Sequence, residues 1–383
     1  MDLNLVPSSL YMHLPWCVKK CPYCDFNSHE GATLKDKKKY IAALKKDIAM
    51  EGYRFPNTIL KTIFIGGGTP NLFMPEELND LLNEIKIYFK FTENIEITME
   101  VNPGLLEKKK LTDYKFAGIN RLSIGAQSFD SRSLKLLGRI HSVEDIFLTI
   151  ENAQLANFQN INLDLMFGLP SQTMELVQKD LEEAINLNPQ HISYYQLTLE
   201  PNTVFYKQRP KNLPSNDRLY NMHERGLKLL EAANYIRYEV SAFSKIHEEC
   251  QHNLNYWTFG DYIAVGAGAH GKYTINNNVY RYQKPSLPRA YINTDFKKND
   301  FRSKKIEQTE IIFDFMLNNL RLISGFTETY FEDCTDISFN IIKQKFVKLQ
   351  RLGLIQKHGV DCWQPTALGL RFLDDIQVEF LPQ

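Results

Sequence analysis

Six short apolar runs, each followed by glycine, proline or asparagine, alternate with longer amphipathic stretches, and this alternation limits the folds open to the chain. The runs are Leu10–Leu14, Thr62–Ile65, Ile95–Val101, Arg121–Gly125, Asn162–Met166 and His191–Leu199. Each is rich in Ile, Leu, Phe or Tyr, as strands are. Helix-like spacing fills the intervals, notably Asp36–Met50, Pro75–Tyr88, Ser142–Ala156 and Met174–Leu187. Pro75 followed by Glu76 and Glu77 marks a helix start, because proline is tolerated in the first turn and acids there meet the positive end of the helix dipole. Six strand–helix units in succession predict an α/β fold with a parallel sheet and right-handed crossovers. A sheet curved towards a barrel and a flat doubly wound sheet give nearly the same pattern.

A parallel barrel carries its chemistry at the carboxyl ends of its strands, so unusual residues are expected just after each run. After the first comes His13-Leu14-Pro15 and then Cys17, Cys21 and Cys24, spaced Cys-x3-Cys-x2-Cys. Three thiolates at that spacing can wrap one loop around a four-iron cube, one iron each, leaving the fourth iron open to a small molecule. With His13 or His29 added, the same triplet also suits a zinc ion. After the second run comes Gly66-Gly67-Gly68-Thr69-Pro70, where bare backbone admits a ligand and permits positive φ, or simply turns tightly. The third ends in Glu100-Val101-Asn102-Pro103, whose carboxylate can bind an ammonium or ribose hydroxyls, or cap a helix. Beyond the fourth lie Gln127 and the run Leu137-Gly138-Arg139-Ile140-His141. The fifth holds Asp164 among apolar residues, which is costly unless the acid is paired. The sixth ends in Thr198-Leu199-Glu200-Pro201.

Together with the cysteine loop, GGGTP, MEVNPG, RLSIGAQSF, LGRIHS, DLMFGLP and YQLTLEP resemble the radical S-adenosylmethionine (SAM) superfamily. Within it they are similar to the branch of the oxygen-independent coproporphyrinogen III dehydrogenases and their heme-chaperone relatives, the HemW family. The resemblance runs from about Leu10 to the C-terminal end. It implies a partial (β/α)6 barrel holding a [4Fe-4S] cluster on Cys17, Cys21 and Cys24, with SAM chelating the open iron. In that superfamily an electron from the cluster cleaves SAM to methionine and a 5′-deoxyadenosyl radical. Carried over by motif, Tyr11, Gly67 and Glu100 contact that SAM. Tyr23, Gly68, Thr69, Gln127, Arg139 and Asp164 match the second SAM site of the dehydrogenases, and they also suit a single SAM or another anion. Arg139 could clamp a carboxylate with two hydrogen bonds, and Asp164 could pair with an ammonium.

Two features separate the relatives. The dehydrogenases carry a further cysteine two residues beyond the triplet, where this chain has Phe26; the resemblance therefore implies no role for a thiol there. The run His252-Asn253-Leu254-Asn255-Tyr256-Trp257 resembles the HNxxYW motif of the HemW family. Histidine is a common heme ligand, and Tyr and Trp can stack on a porphyrin; equally, such a run can fold against the barrel and build structure. The expectation is a heme chaperone that binds heme, the cluster and SAM, and delivers heme to a hemoprotein acceptor. The alternative is a radical SAM oxidoreductase acting on a tetrapyrrole, against which Phe26 argues. Whether the chain is an enzyme is left open, as is a homodimer. An electron donor is required if SAM is cleaved.

Composition excludes other classes. Lys+Arg and Asp+Glu each number 45, so no net field draws in nucleic acid. The short runs Lys37–Lys39 and Lys108–Lys110 read as solvated helix faces. No apolar segment reaches the ~18–20 residues of a membrane span, and no charged-then-apolar signal pattern opens the chain. Clustered cysteines in a chain with 6 of them fit a reducing cytoplasm, with any membrane association made through a partner. Residues 1–245 are expected to form the core barrel. Residues 246–296 would form a barrel-edge segment with the HNxxYW motif and the glycine-rich Tyr262–Gly271, closing over the SAM pocket. Residues 297–383 read as a mostly α, winged-helix-like domain: a linker over Lys297–Lys305, helices over Glu307–Leu322 and Ser338–Leu352 with Ser338 as N-cap, a turn at His358-Gly359, and a last helix after Thr366. This domain lacks a basic recognition face, so it is read as a lid or partner surface.

Overall fold

The computed structural model describes residues 7–104, 106–296 and 303–382. Six strands come in the expected places: β1 Ser9–Leu14, β2 Ile59–Gly67, β3 Lys90–Val101, β4 Arg121–Gln127, β5 Asn160–Phe167 and β6 His191–Gln196. They lie side by side in chain order, each paired in parallel with the next. A doubly wound sheet reverses its order at a switch point, and this one does not. With every crossover stepping the same way, right-handed connections keep the helices on one face. The other face lines a cavity, as in a partial barrel. Strand alternation sorts the side chains: Leu10, Met12 and Leu14 of β1 and Leu163, Leu165 and Phe167 of β5 are buried in the core, while Tyr11, Asn162 and Asp164 line the cavity.

The helices begin where their caps are. Thr33 and Asp36 form a capping box, so the first helix runs Leu34–Arg54, starting before the expected Asp36. Ser142 and Asp145 do the same for Val143–Leu155, and Pro75–Tyr88 has the expected bounds. The sixth strand is shorter than the sequence suggests and stops at Gln196.

The sheet continues at both ends, giving twelve strands among the described residues. Beyond β6 lie β7 Ile236–Arg237 and β8 Ala242–Ser244, with β8 antiparallel to β6. Beyond β1 lie β9 Tyr262–Val265, β10 His270–Ile275, β11 Asn278–Gln283 and β12 Lys304–Lys305. Residues 297–302 of the expected linker lie outside the described residues, and Lys304–Lys305 pair with β11 rather than linking freely. A buried ion cluster fixes this flank: Lys284 Nζ lies 2.6 Å from both Asp47 and Glu51 of the first helix.

A second core gathers Phe315, Phe331, Phe339, Phe346 and Trp363. Helices Gln308–Asn319, Glu328–Thr335 and Lys343–Arg351 pack around it with a three-stranded wing of β13 Phe326–Thr327, β14 Ile355–His358 and β15 Cys362–Pro365. Ser338 does not cap the helix as expected. Its hydroxyl donates to Glu332 at 3.2 Å, and a 3-10 turn over Phe339–Ile341 comes first. This C-terminal unit touches both flanks of the open sheet. On one side Leu322 bridges to Glu239 and Arg321 pairs with Glu239 at 2.8 Å. On the other, Asp314 pairs with Arg281 of β11 at 2.9 Å.

Candidate functional site

The loop after β1 carries the three cysteines and is pinned at its base by Cys17 N–H donating to His29 O at 2.9 Å and His29 N–H to Pro15 O at 2.7 Å. Its far end is tied down by Asn27, whose side-chain amide donates to Ala267 O and Ser286 O. Glycine makes that contact feasible, since a Cβ on Gly268 would lie 2.3 Å from the Asn27 amide. All three thiols are half-buried and free of disulfides. Burial pushes the Cys17 and Cys24 thiols up, and the Arg139 guanidinium stands 3.8 Å from Cys21 Sγ.

The zinc alternative loses its fourth ligand. Both ring nitrogens of His13 are hydrogen-bonded, to Tyr11 OH and Asn27 O, and His29 Nε2 is bonded to Asn27 Oδ1. Among the described residues no three His, Cys, Asp or Glu side chains are gathered closely enough to hold one metal ion.

Those thiols open onto a cavity of about 700 Å³, within the range of small-molecule and cofactor sites. Tyr11, Gly67, Gly68 and Glu100 line it, as do Tyr23, Gln127, Arg139 and Asp164. Thr69 does not; it is buried just behind, accepting from Asn102 at 2.9 Å. The glycines answer to protein neighbours as well. Gly67 has φ +114°, and a Cβ there would meet the His13 ring at 2.5 Å; one on Gly68 would meet Trp16 O at 2.6 Å. Gln127 takes φ +67° at a register shift between β4 and β5 and accepts from Tyr195 OH at 2.7 Å, a bulge that turns the strand end towards the cavity.

The carboxylates are held in two ways. Glu100 accepts the Gly67 N–H at 3.0 Å, and burial, then the nearby Asp164, raise its pKa to about 7. Burial likewise raises Asp164, countered by hydrogen bonds from Asn162, Ser193 and Ser123 and by the charge of Arg121. The polar partners that make Asp164 tolerable are therefore its own neighbours on β4, β5 and β6.

The HNxxYW run forms the helix Gln251–Trp257 beneath the amino ends of the strands. Glu96 of β3 receives the backbone N–H groups of Gln251 and His252 at 3.0 and 3.1 Å. His252 lines the cavity with both ring nitrogens bonded: Nδ1 to Thr62 Oγ1 and Nε2 to Tyr256 OH, both at 2.8 Å. Burial pushes its pKa down to about 3. Tyr256 and Trp257 line the cavity and separate it from a second lobe of about 680 Å³. Phe26 stands at the same partition, 56% exposed.

Among the cavity residues that the motifs do not single out as ligands are two arginines. Arg321, from the C-terminal unit, stacks 4.4 Å above the Trp257 ring; no motif marks it. Arg121 opens β4 and is buried; a cation leading an apolar strand was the available signal.

The radical SAM superfamily profile matches residues 11–184. Heme chaperone HemW of Haemophilus influenzae is 42% identical over 386 residues, covering 99% of each chain. Its Escherichia coli counterpart is 41% identical over 384 residues, covering 100% of each. Radical S-adenosyl methionine domain-containing protein 1, mitochondrial, of Danio rerio is 31% identical over 389 residues, 97% of this chain and 86% of that one. Among solved structures, E. coli coproporphyrinogen III oxidase (HemN), described as a radical SAM enzyme, matches with TM-score 0.81 over 98% of this chain and 90% of that one. At 24% identity this is a likeness of fold.

Proposed function

The chain belongs to the HemW family of heme chaperones within the radical SAM superfamily, and from that membership we propose how its residues divide the work. Cys17, Cys21 and Cys24 hold a [4Fe-4S] cluster. Tyr11, Gly67 and Glu100 receive SAM at its open iron, with Glu100 facing the ammonium and Arg139 available for a carboxylate. Tyr23, Gly68, Gln127 and Asp164 complete the pocket wall, with Thr69 supporting it from behind through Asn102. When bound, such a cluster supplies one-electron chemistry. Heme lies against Tyr256 and Trp257 and passes to an acceptor hemoprotein.

The observation that carries this reading is the single cavity on which the three thiols, Glu100, Arg139, Asp164 and the Tyr256–Trp257 wall all open. His252 serves as a positioning residue behind Tyr256, since both its ring nitrogens are engaged. Among the described residues no helix is long and apolar enough to cross a membrane; we place the protein in the cytoplasm, meeting membranes only through its acceptor.

An anaerobic heme titration of cluster-reconstituted protein, followed by Soret absorbance, tests the function. Saturation near one heme per chain is the expected result. No saturable binding, together with 5′-deoxyadenosine formed in step with loss of a tetrapyrrole, would move the assignment to an oxidoreductase. Phe26, in place of the further cysteine, argues against that outcome.

A further inference from the structure

Arg121 is 2% exposed, yet its guanidinium makes no hydrogen bond or ion pair among the described residues, and its Nε is buried without a partner. A buried cation in that condition is costly, and an unmet buried donor calls for a reason. The acids nearest it are committed elsewhere. Glu96 and Asp164 act on it only by charge, without direct contact: Glu96 takes the backbone of the helix Gln251–Trp257, and Asp164 takes Ser123 and Asn162. Arg121 nonetheless lines the main cavity. As the first residue of β4 it stands at the amino end of the strands, the end opposite the cysteine loop.

We infer that Arg121 is the anchor for a carboxylate of the cargo, holding a heme propionate at the deep end of the cavity. This rests on the heme-chaperone reading. A guanidinium offers five donors in a planar fork that matches a carboxylate with two hydrogen bonds, and here none is taken. Arg321 supplies a second cation lining the same cavity, stacked on Trp257 and paired with Glu239 through one Nη, its Nε unpartnered. A flat apolar ring with two carboxylates on one edge meets both needs: aromatic side chains for the ring, guanidinium groups for the edge. SAM also carries a carboxylate, but its other partners lie at the strands' carboxyl ends.

The test pairs a change in the protein with a change in the ligand. Cluster-reconstituted wild type and Arg121→Gln are titrated anaerobically with heme and with heme dimethyl ester, whose propionates are blocked. SAM binding and iron content are measured on both proteins. Wild type should prefer heme over the ester by about ten- to hundredfold, the worth of a charge-assisted hydrogen bond. Arg121→Gln should lose most of that preference, keeping only the part owed to Arg321, with iron content unchanged and SAM affinity changed far less than heme affinity. Parallel weakening of both ligands, as from an Arg that only supports the fold, overturns the proposal. So does a preference for heme that survives undiminished in the variant, or a loss confined to SAM. If wild type binds neither heme nor ester, the chaperone reading fails first and this inference with it. Should Arg121→Gln lose its cluster through misfolding, Arg121→Lys replaces it; that variant keeps the charge and should retain part of the preference.

Discussion

Arg139 Nη1 lies 3.8 Å from the sulfur of Cys21, while its Nη2 donates to Gly125 O at 2.9 Å and to the Asn102 side-chain oxygen. One guanidinium thus ties the cysteine loop to the ends of β3 and β4 and sets a positive charge beside a thiol. Arg139→Ala leaves two acceptors short of a donor. We expect a stability loss of about 1–3 kcal/mol, read as a lower urea midpoint, and SAM binding weakened about tenfold or more. Arg139→Lys keeps the charge but not the fork, and should recover stability better than SAM affinity. Unchanged SAM affinity in a folded Arg139→Ala protein would reduce the residue to a structural tie.

Cys21→Ala should abolish the cluster, because two thiolates do not hold the cube. Iron after anaerobic reconstitution is expected to fall from about four atoms per chain to near zero, and the visible cluster absorbance with it. Full iron content in the variant contradicts the ligand assignment.

Glu100 gives a pH dependence whose sign follows from its raised pKa of about 7 against an ordinary 4.5. The folded chain binds this proton more tightly than the unfolded chain, so Glu100 contributes a stability that is present below the ordinary value and lost as pH rises towards 7. Binding an ammonium runs the other way, since it needs the carboxylate. SAM affinity should therefore climb through pH 7 and level off above it. Calorimetric titrations between pH 6 and 8.5 would show the slope, and Glu100→Gln should flatten it at a lower affinity.

His252→Ala should cost stability before any heme is added. The substitution strands the Thr62 and Tyr256 hydroxyls and opens a buried void, worth about 2–4 kcal/mol. A denaturation curve of the heme-free protein reads this directly. A side chain kept only to bind iron would leave that curve where it was.

Much of the parallel sheet could be read from the chain because each strand announces itself locally: an apolar run, then Gly, Pro or Asn. The cysteine loop, Glu100 and Asp164 were legible for the same reason, each an exception placed at a strand end or inside an apolar strand. What could not be read is set by distance. Lys284 meets Asp47 and Glu51 across more than two hundred residues, and no local pattern foretells a buried ion cluster of that kind. The edge strands β9 to β11 are short and polar in places, so their pairing depends on β1 being there first. His252 reads as a heme ligand only through the resemblance of its run to the HNxxYW motif, since a histidine beside aromatics by itself suits structure as well. Only the packing reveals that Thr62, far away in the chain, already holds one of its nitrogens.

The C-terminal unit reaches both flanks of the sheet, through Arg321 and Leu322 to Glu239 on one side and Asp314 to Arg281 on the other. An unclosed barrel is a trough with a slot along its length, and here the slot is buckled shut by a strap. The strap is more than these polar ties, since Phe259 and Val279 of the sheet edge share one buried core with Phe315 and Phe331 of the C-terminal unit, and Tyr330 OH donates to Thr258 O. Closing the slot with packed aromatic side chains makes the second core a structural part of the cavity wall rather than an appendage hung beside it.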